Sequence, residues 1–407
     1  EEKSSACRRQ SSRGAAPLSA PLGLAARMNL PPAEDPTEIV DNSIKKKYDI
    51  VQKLGKGAYA VVFKAVDKKT KSVVALKKIF DAFQNATDAQ RTFREIMYLQ
   101  ALAARGDENI IRLQKVMKAE NDNDIYLVFD YMDTDLHAVI RANILEPVHK
   151  QFIVYQMLKA LKICHAADLV HRDLKPSNLL LNEECLCKVA DFGLARSLRA
   201  LKRGEESASV LTDYVATRWY RAPEIMLGST CYTKAVDMWA VGCIVAEMFV
   251  GRPLLPGTST MDQLKKVIEV TGKPTEEDIA AMQSKYAKTM IDSILPAGHR
   301  LAFRSMDAIM SGAPPEAIDM VKNLMTFDPT ARLTVEGALA HRWMADFYTG
   351  KELGFDGELV IPIDDGEKKT LAEYRTNLYD EVCKARKTPS LYEKYIRRRA
   401  PKSSEAA

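Results

Sequence analysis

The hydrophobic pattern changes period part-way along the chain, and that switch limits the fold more than any single residue does. From Tyr48 to about Lys78 apolar and polar residues alternate around glycines, with Val61, Phe63 and Ala65 on one face, which predicts a β-hairpin. A helix is expected over Asp88 to Leu102, where Phe93, Ile96, Met97 and Leu99 recur at near-helical spacing; Ile125 to Phe129 then reads as a buried strand. After Asp135 the helical period takes over. Ile153, Met157, Ala160, Leu161 and Cys164 form one stripe, while Val241, Ile244, Val245 and Met248 lie in a segment apolar almost all round, which belongs at the centre of a core. Strands first and helices later predict an α+β architecture, a small β-rich lobe followed by a larger helical one.

The 407 residues, 46% apolar, suffice for a large core and exceed one small domain. A formal charge of +5, from 59 basic and 54 acidic residues spread along the chain, gives no case for a nucleic-acid or membrane-surface partner. No apolar run approaches the ~20 residues of a membrane span. Seven cysteines at irregular spacings read as reduced thiols of an intracellular protein. Cys185 and Cys187 are read as structural, because no second ligand pair lies nearby. Residues 1–40 are expected to be a disordered tail, in which Met28-Asn29-Leu30 reads as a plausible start, and Pro17 and Pro21 interrupt a faintly targeting-like stretch. The lobes are placed at 48–133 and 134–344. An extension over 345–390, with a helix near Leu371 to Val382, is expected to pack on them, and 391–407 to form a second disordered tail.

Three groups of residues carry chemistry. The first is Leu54-Gly55-Lys56-Gly57-Ala58-Tyr59-Ala60-Val61-Val62, following a strand-like stretch. Glycines here let a hairpin backbone approach triphosphate oxygens with no β-carbon in the way, although alone the loop also reads as a plain turn. The second is Val74-Ala75-Leu76-Lys77 with Arg94-Glu95-Ile96 on the predicted helix. A strand lysine cannot bury its ammonium without a partner, so Lys77 is paired with Glu95 and with phosphate oxygens.

The third group decides the class: His171-Arg172-Asp173-Leu174-Lys175-Pro176-Ser177-Asn178, then Asp191-Phe192-Gly193, then Ala222-Pro223-Glu224. Phosphoryl transfer needs mostly alignment and charge neutralisation. Asp173 is expected to orient the acceptor hydroxyl and Lys175 to add a cation beside the transferred group. Asn178 and Asp191 offer the oxygen ligands that Mg²⁺ prefers. ATP and Mg²⁺ are therefore the expected cosubstrate and cofactor.

In these motifs the chain resembles the protein kinase superfamily over roughly Tyr48 to Met344. The resemblance implies a bilobal fold with ATP between the lobes. It implies that Phe129 is the gatekeeper, that Asp130 and Met132 meet the adenine through backbone groups, that Ala75 lines its pocket and that Asp135 reaches the ribose. Lys175 looks like the serine/threonine class. Thr212-Asp213-Tyr214 with Thr217-Arg218-Trp219-Tyr220-Arg221 looks like a mitogen-activated protein kinase. That family implies phosphorylation of Thr212 and Tyr214, and a pocket shaped by Thr217, Arg218 and Arg221 that favours Ser/Thr-Pro substrates. Arg91, Arg94, Arg172 and Arg196 are the arginines expected to meet the new phosphates. Asp237 would brace the catalytic loop and Arg332 would pair with Glu224. The stretch from Lys77 to Ile96 resembles the atypical extracellular-signal-regulated kinase branch of the seventh and eighth type, which implies self-phosphorylation. Asp213 departs from the glutamate usual there and keeps its charge. The protein is expected in the cytoplasm, and the resemblance implies the nucleus or the cilium and basal body as further places of work. A monomer is expected. Of the acidic residues Asp346, Glu352, Asp356 and Glu358, a solvated face is expected ahead of a docking site for partners, since Lys351 intervenes. A cyclin-dependent-type kinase and a pseudokinase scaffold are the rival readings; the first lacks a tyrosine at position 214, and the second predicts damage at Lys77, Asp173 or Asp191, all intact.

Overall fold

The computed structural model describes residues 35–103, 107–198, 217–229, 233–295, 302–355, 358–364, 367–387 and 396–397. Two compact units are distinguished, Glu1–Ile39 and Val40–Ala407. In the first, the described residues make one 3₁₀ turn, Pro36–Glu38. Everything below concerns the second.

A single helical turn, α1 (Asn42–Lys45), precedes strands β1 (Tyr48–Lys56), β2 (Ala60–Asp67) and β3 (Val73–Ile79), helix α2 (Ala86–Ala103), and strands β4 (Leu113–Lys118) and β5 (Ile125–Asp130). The strands form one antiparallel sheet in the order β1-β2-β3-β5-β4. What reads in sequence as one hairpin is thus a three-stranded meander. Its second turn has no glycine: Asp67 Oδ1 accepts from the Lys69 and Thr70 amides, and Lys71 takes the left-handed φ of 62°. Alternation sends Val61, Phe63, Ala65, Val74 and Leu76 to one face, where they bury Tyr48, Tyr126 and Val128. On the other face lies α2, with Phe93, Ile96, Met97 and Leu99 buried as their spacing predicts.

The chain then enters the helical lobe through β6 (Thr134–Asp135), α3 (Leu136–Ala142) and α4 (Pro147–Ala166). Short strands β7 (Leu169–Val170), β8 (Leu179–Leu181), β9 (Cys187–Val189) and β10 (Arg196–Ser197) hold the loops that follow. β6 pairs with β8 and β8 with β9, and β7 pairs with β10. After α5 (Pro223–Met226) comes α6 (Ala235–Val250), buried from Val236 to Met248 without interruption. Gly242 lets it approach α7 (Pro315–Leu324): a β-carbon built there would lie 2.7 Å from Met325 Cγ.

A buried ion pair fastens α5 to the segment after α7. Arg332 Nη1 and Nη2 donate to the two oxygens of Glu224 at 2.7 and 3.0 Å. The guanidinium also donates to the carbonyls of Ala235, Thr326 and Phe327, and lies 5.2 Å from the Trp239 ring centroid. Every donor of a desolvated cation is thereby matched.

The extension beyond Ala345 returns to the small lobe. Helix α8 (Leu371–Lys387), longer than its sequence pattern suggests, lays Tyr374 on Phe93 of α2, with ring centroids 5.8 Å apart, and Tyr379 near Phe83 at 6.4 Å. Within the tail expected to be disordered, Ile396–Arg397 instead pair with Glu358–Leu359 as a two-stranded ribbon, because strand-like residues there meet a partner from before α8. The described cysteines, Cys164, Cys185, Cys187 and Cys243, are free thiols.

Removing one member of the Glu224/Arg332 pair leaves the other buried and unmatched. Arg332→Ala is expected to lower the unfolding free energy by about 3–5 kcal/mol, read by urea denaturation, and Arg332→Lys to recover little of it, since an ammonium cannot make the forked contact.

Candidate active site

Strand β3 sends Val74 and Leu76 into the sheet's core, so Ala75 and Lys77 face the opposite way, into the cleft between the lobes. There the Lys77 ammonium meets Glu95 Oε1 at 2.6 Å, a pair drawn from the sheet and from α2. Burial pushes the Lys77 pKa down, while the Glu95 and Asp191 carboxylates push it up and prevail. The lysine is held charged.

From the lower lobe Asp191 and Asn178 line the cleft, and Asp173, bonded to Asn178, lines a neighbouring groove. Lys175 Nζ donates to Asp173 Oδ2 at 2.8 Å, and Asn178 Nδ2 donates to the Asp173 carbonyl at 2.8 Å. That leaves Asn178 Oδ1 as an oxygen ligand. Asp191 adopts a left-handed backbone, φ 64° and ψ 72°, at the start of a 3₁₀ turn, Phe192–Leu194. Burial pushes its carboxyl pKa up; Lys77, Arg91, Lys175 and His171 outweigh that and hold it below the usual range.

A second carboxylate organises the loop that carries Asp173. Asp237, on the first turn of α6, accepts from the His171 amide at 2.9 Å, the Arg172 amide at 2.8 Å and the His165 ring Nε2 at 2.9 Å. Those bonds hold Arg172 at a φ of 69°, a backbone that a side chain rarely adopts unaided. His171 Nε2 lies 3.0 Å from the Ala190 carbonyl, and its ring packs edge-on against Phe192 at 4.8 Å. The loop and the Asp-Phe-Gly turn are therefore braced against each other.

The cleft of about 450 Å³ is lined by Leu54, Gly55, Val62, Ala75, Lys77, Glu95, Phe129, Asp130, Met132, Asp135, Asn178 and Asp191 among the expected residues. Gly57, Ala58, Tyr59 and Ala60 line an adjoining cavity of about 440 Å³ that shares Lys77, Glu95 and Asp191 with the cleft and adds Lys175. Two expected nucleotide contacts are not brought in. Val61 is fully buried in the sheet's other core, as alternation with Val62 requires, and Lys56 lines neither cavity. Ile111, Leu180 and Ala190, missed in sequence, line the cleft. Leu180 sits in a run of three leucines where nothing in the sequence tells the inward face from the outward one.

Thr212 and Tyr214 lie outside the described residues. Arg91 approaches Asp191, Nη2 to Oδ1 at 4.0 Å. Arg94 is buried, its charge acting on Tyr374 of α8. Arg172 Nη1 donates weakly to the Leu194 carbonyl at 3.5 Å and Arg196 Nη1 to the Ala195 carbonyl at 2.8 Å. Thr217 and Arg221 line a narrow groove together with Asp173 and Leu174. Arg218 turns away to the Thr258 carbonyl, at 3.2 Å. Of the acidic docking candidates, Asp346 accepts from Gln151 at 3.1 Å, and Glu352 is engaged by Tyr155 and Thr349. Glu358 begins the two-stranded ribbon, and Asp356 lies outside the described residues.

Known proteins place this geometry. A protein kinase domain model matches residues 48–344. The chain belongs to the protein kinase family. Over 352 residues it is 57% identical to Extracellular signal-regulated kinase 2 of Dictyostelium discoideum, across 86% of this chain and 94% of that one. It is 48% identical to Mitogen-activated protein kinase 15 of Xenopus laevis across 84% of this chain and 58% of that one. Against Extracellular signal-regulated kinase 7 of Drosophila melanogaster the identity is 43%, across 84% of this chain and 37% of that one. The chain thus spans little more than half of the Xenopus relative and about a third of the Drosophila one, but nearly all of the Dictyostelium one. Within the family it is a mitogen-activated protein kinase, a serine/threonine kinase similar to the atypical seventh-type branch. The five-stranded upper lobe and helical lower lobe are those of that fold.

Burial pushes the Asp237 pKa up, but His165, His171 and the Arg172 amide outweigh it and hold the kinase's bracing carboxylate below the usual range. Its stabilisation is then complete above the ordinary carboxylate pKa of about 3.9 and is lost as the pH falls through the lowered value. Asp237→Asn is expected to lose about 3 kcal/mol at neutral pH, with the gap to the parent narrowing below about pH 4, as read by denaturation at a series of pH values.

Proposed function

We propose that this kinase transfers the γ-phosphoryl group of ATP to serine or threonine hydroxyls followed by proline, and that phosphorylation of Thr212 and Tyr214, by the kinase itself, switches it on. The observation that carries the catalytic reading is the Lys77/Glu95 pair closed at 2.6 Å in the cleft that Asp173, Asn178 and Asp191 also enter or adjoin.

The residues fit the groups they would hold. Gly55 lines the cleft and Gly57 the adjoining cavity, and the space beside both is open, with only the Ala60 carbonyl 3.7 Å from a β-carbon built on Gly57, so a phosphate could approach their backbone. Asn178 Oδ1 and the Asp191 carboxylate are the hard oxygen donors for Mg²⁺. When bound, Mg²⁺ supplies positive charge against the phosphate oxygens. Lys77, kept cationic and aimed by Glu95, orients the phosphates. Among the described residues Asp173 Oδ1 carries no hydrogen bond, because Lys175 and Asn178 engage Oδ2. That free oxygen accepts the proton of the acceptor hydroxyl and fixes its direction of attack. Lys175 pairs with the carboxylate at 2.8 Å and adds a cation at the reacting group. Thr217 and Arg221, in one groove with Asp173, suit the residue after the target, and a proline fits there because it has no backbone N–H that would need an acceptor.

Peptide phosphorylation tests both parts. A Ser-Pro peptide is expected to exceed its Ser-Ala counterpart by about tenfold or more in kcat/KM, and Asp173→Asn to reduce turnover by about a thousandfold. Equal rates on the two peptides would remove the proline preference. Expressed in a bacterial host, the full chain is expected to carry phosphate on Thr212 and Tyr214, and Asp173→Asn to carry none. Bare residues in a chain active on peptide would refute self-activation.

A further inference from the structure

Three cations surround the Asp191 carboxylate, and two are already committed. Lys77 is matched by Glu95 at 2.6 Å, and Lys175 by Asp173 at 2.8 Å. Arg91 is the third. It lies one turn before Glu95 on α2, so both residues project from the same helix face. Glu95 engages the sheet, and Arg91 reaches down to the Asp-Phe-Gly turn. Its Nη2 is 4.0 Å from Asp191 Oδ1, and among the described residues Asp191 is the carboxylate with which it pairs. The contact is close enough to depend on a glycine: a β-carbon built on Gly193 would lie 2.7 Å from Arg91 Nε and 3.2 Å from its Cγ. On its far side the guanidinium is 5.9 Å from the ring centroid of Tyr59, at the tip of the glycine loop.

A half-buried carboxylate is steadied by a nearby positive charge, and the same oxygen that Arg91 approaches is one that a divalent cation would take. A fixed cation a few ångströms from that position repels the ion and shares its ligand. We propose that Arg91 is a tethered counter-ion for Asp191 that competes with Mg²⁺, so that the metal affinity of this kinase is set from helix α2. This rests on the reading above that Asp191 is a metal ligand. Arg91 acts through Asp191 and is a positioning residue. With the metal absent it holds the carboxylate in place. Any movement of α2 that draws Arg91 away then raises metal affinity before any chemistry occurs.

The test uses ADP and MgCl₂ with the full chain, read by calorimetry and without turnover. ADP affinity is measured in EDTA and then across a magnesium titration. Arg91→Gln is expected to weaken ADP binding in EDTA, because a cation near the phosphates is gone, and to lower the magnesium concentration of half-effect by about three- to tenfold. Arg91→Lys, which keeps the charge, is expected to stay nearer the parent in both. Opposite shifts distinguish competition from a loosened helix, which weakens both. An unchanged or raised magnesium midpoint in Arg91→Gln, with the parent's magnesium response abolished in Asp191→Asn, overturns the competition and leaves Asp191 as the ligand. A magnesium response that persists in Asp191→Asn overturns this proposal together with the metal assignment beneath it.

Discussion

An ammonium on a central strand can be kept charged away from water only if a carboxylate is brought to it, and no neighbour on the same strand supplies one. In this chain the carboxylate comes from α2, so the Lys77/Glu95 contact ties the sheet to the one long helix of the small lobe. The position of α2 consequently fixes three things at once: the orientation of Lys77, the reach of Arg91 to Asp191, and the surface on which α8 packs. The closed pair is a fold constraint as much as a catalytic feature.

The lower lobe solves the same problem with a different geometry. Its loop must hold Arg172 in a left-handed backbone beside Asp173, and one buried carboxylate, Asp237, restrains two successive amides to do so. Helix α6, apolar all round, gives that carboxylate an immobile base. Its neighbour α5 is fixed in turn by the fork of Arg332 on Glu224. Rigid scaffold and strained loop are thus parts of one arrangement, in which Glu224, Arg332 and Asp237 each meet their partners within the protein.

Much of this was legible in the residues, and the failures have physical reasons. The order of the motifs and the change of hydrophobic period suffice for the two lobes, for Lys77 with Glu95, and for the family. Alternation, applied strictly, would have assigned Val61 to the sheet core and Val62 to the cleft. β4 escaped notice because a register shift between Leu113 and Lys115 breaks its alternation, giving a buried-exposed-exposed-buried run that matches neither period. The second turn of the meander lacks glycine, since Lys71 takes the left-handed position on the strength of Asp67's side-chain bonds. Arg94, expected to meet a phosphate, is buried with its charge felt at Tyr374 of α8, a segment almost three hundred residues further on that local spacing cannot reveal. Leu180 shows the limit of pattern reading, since in a run of one residue type the facing direction leaves no mark.

The packing of α8 on α2 also bears on how the molecule comes into being. A chain emerging from the ribosome presents its sheet and α2 first, and Phe83 and Phe93 are then bare on their outer side. Their aromatic cover, Tyr374 and Tyr379, is made only after every element of the lower lobe, so the small lobe stays unfinished while that lobe is synthesised. The outer packing of α2 is thus completed by a segment from the far side of the lower lobe, and the order of synthesis makes the small lobe, first to begin, later to be finished than its own strands would require.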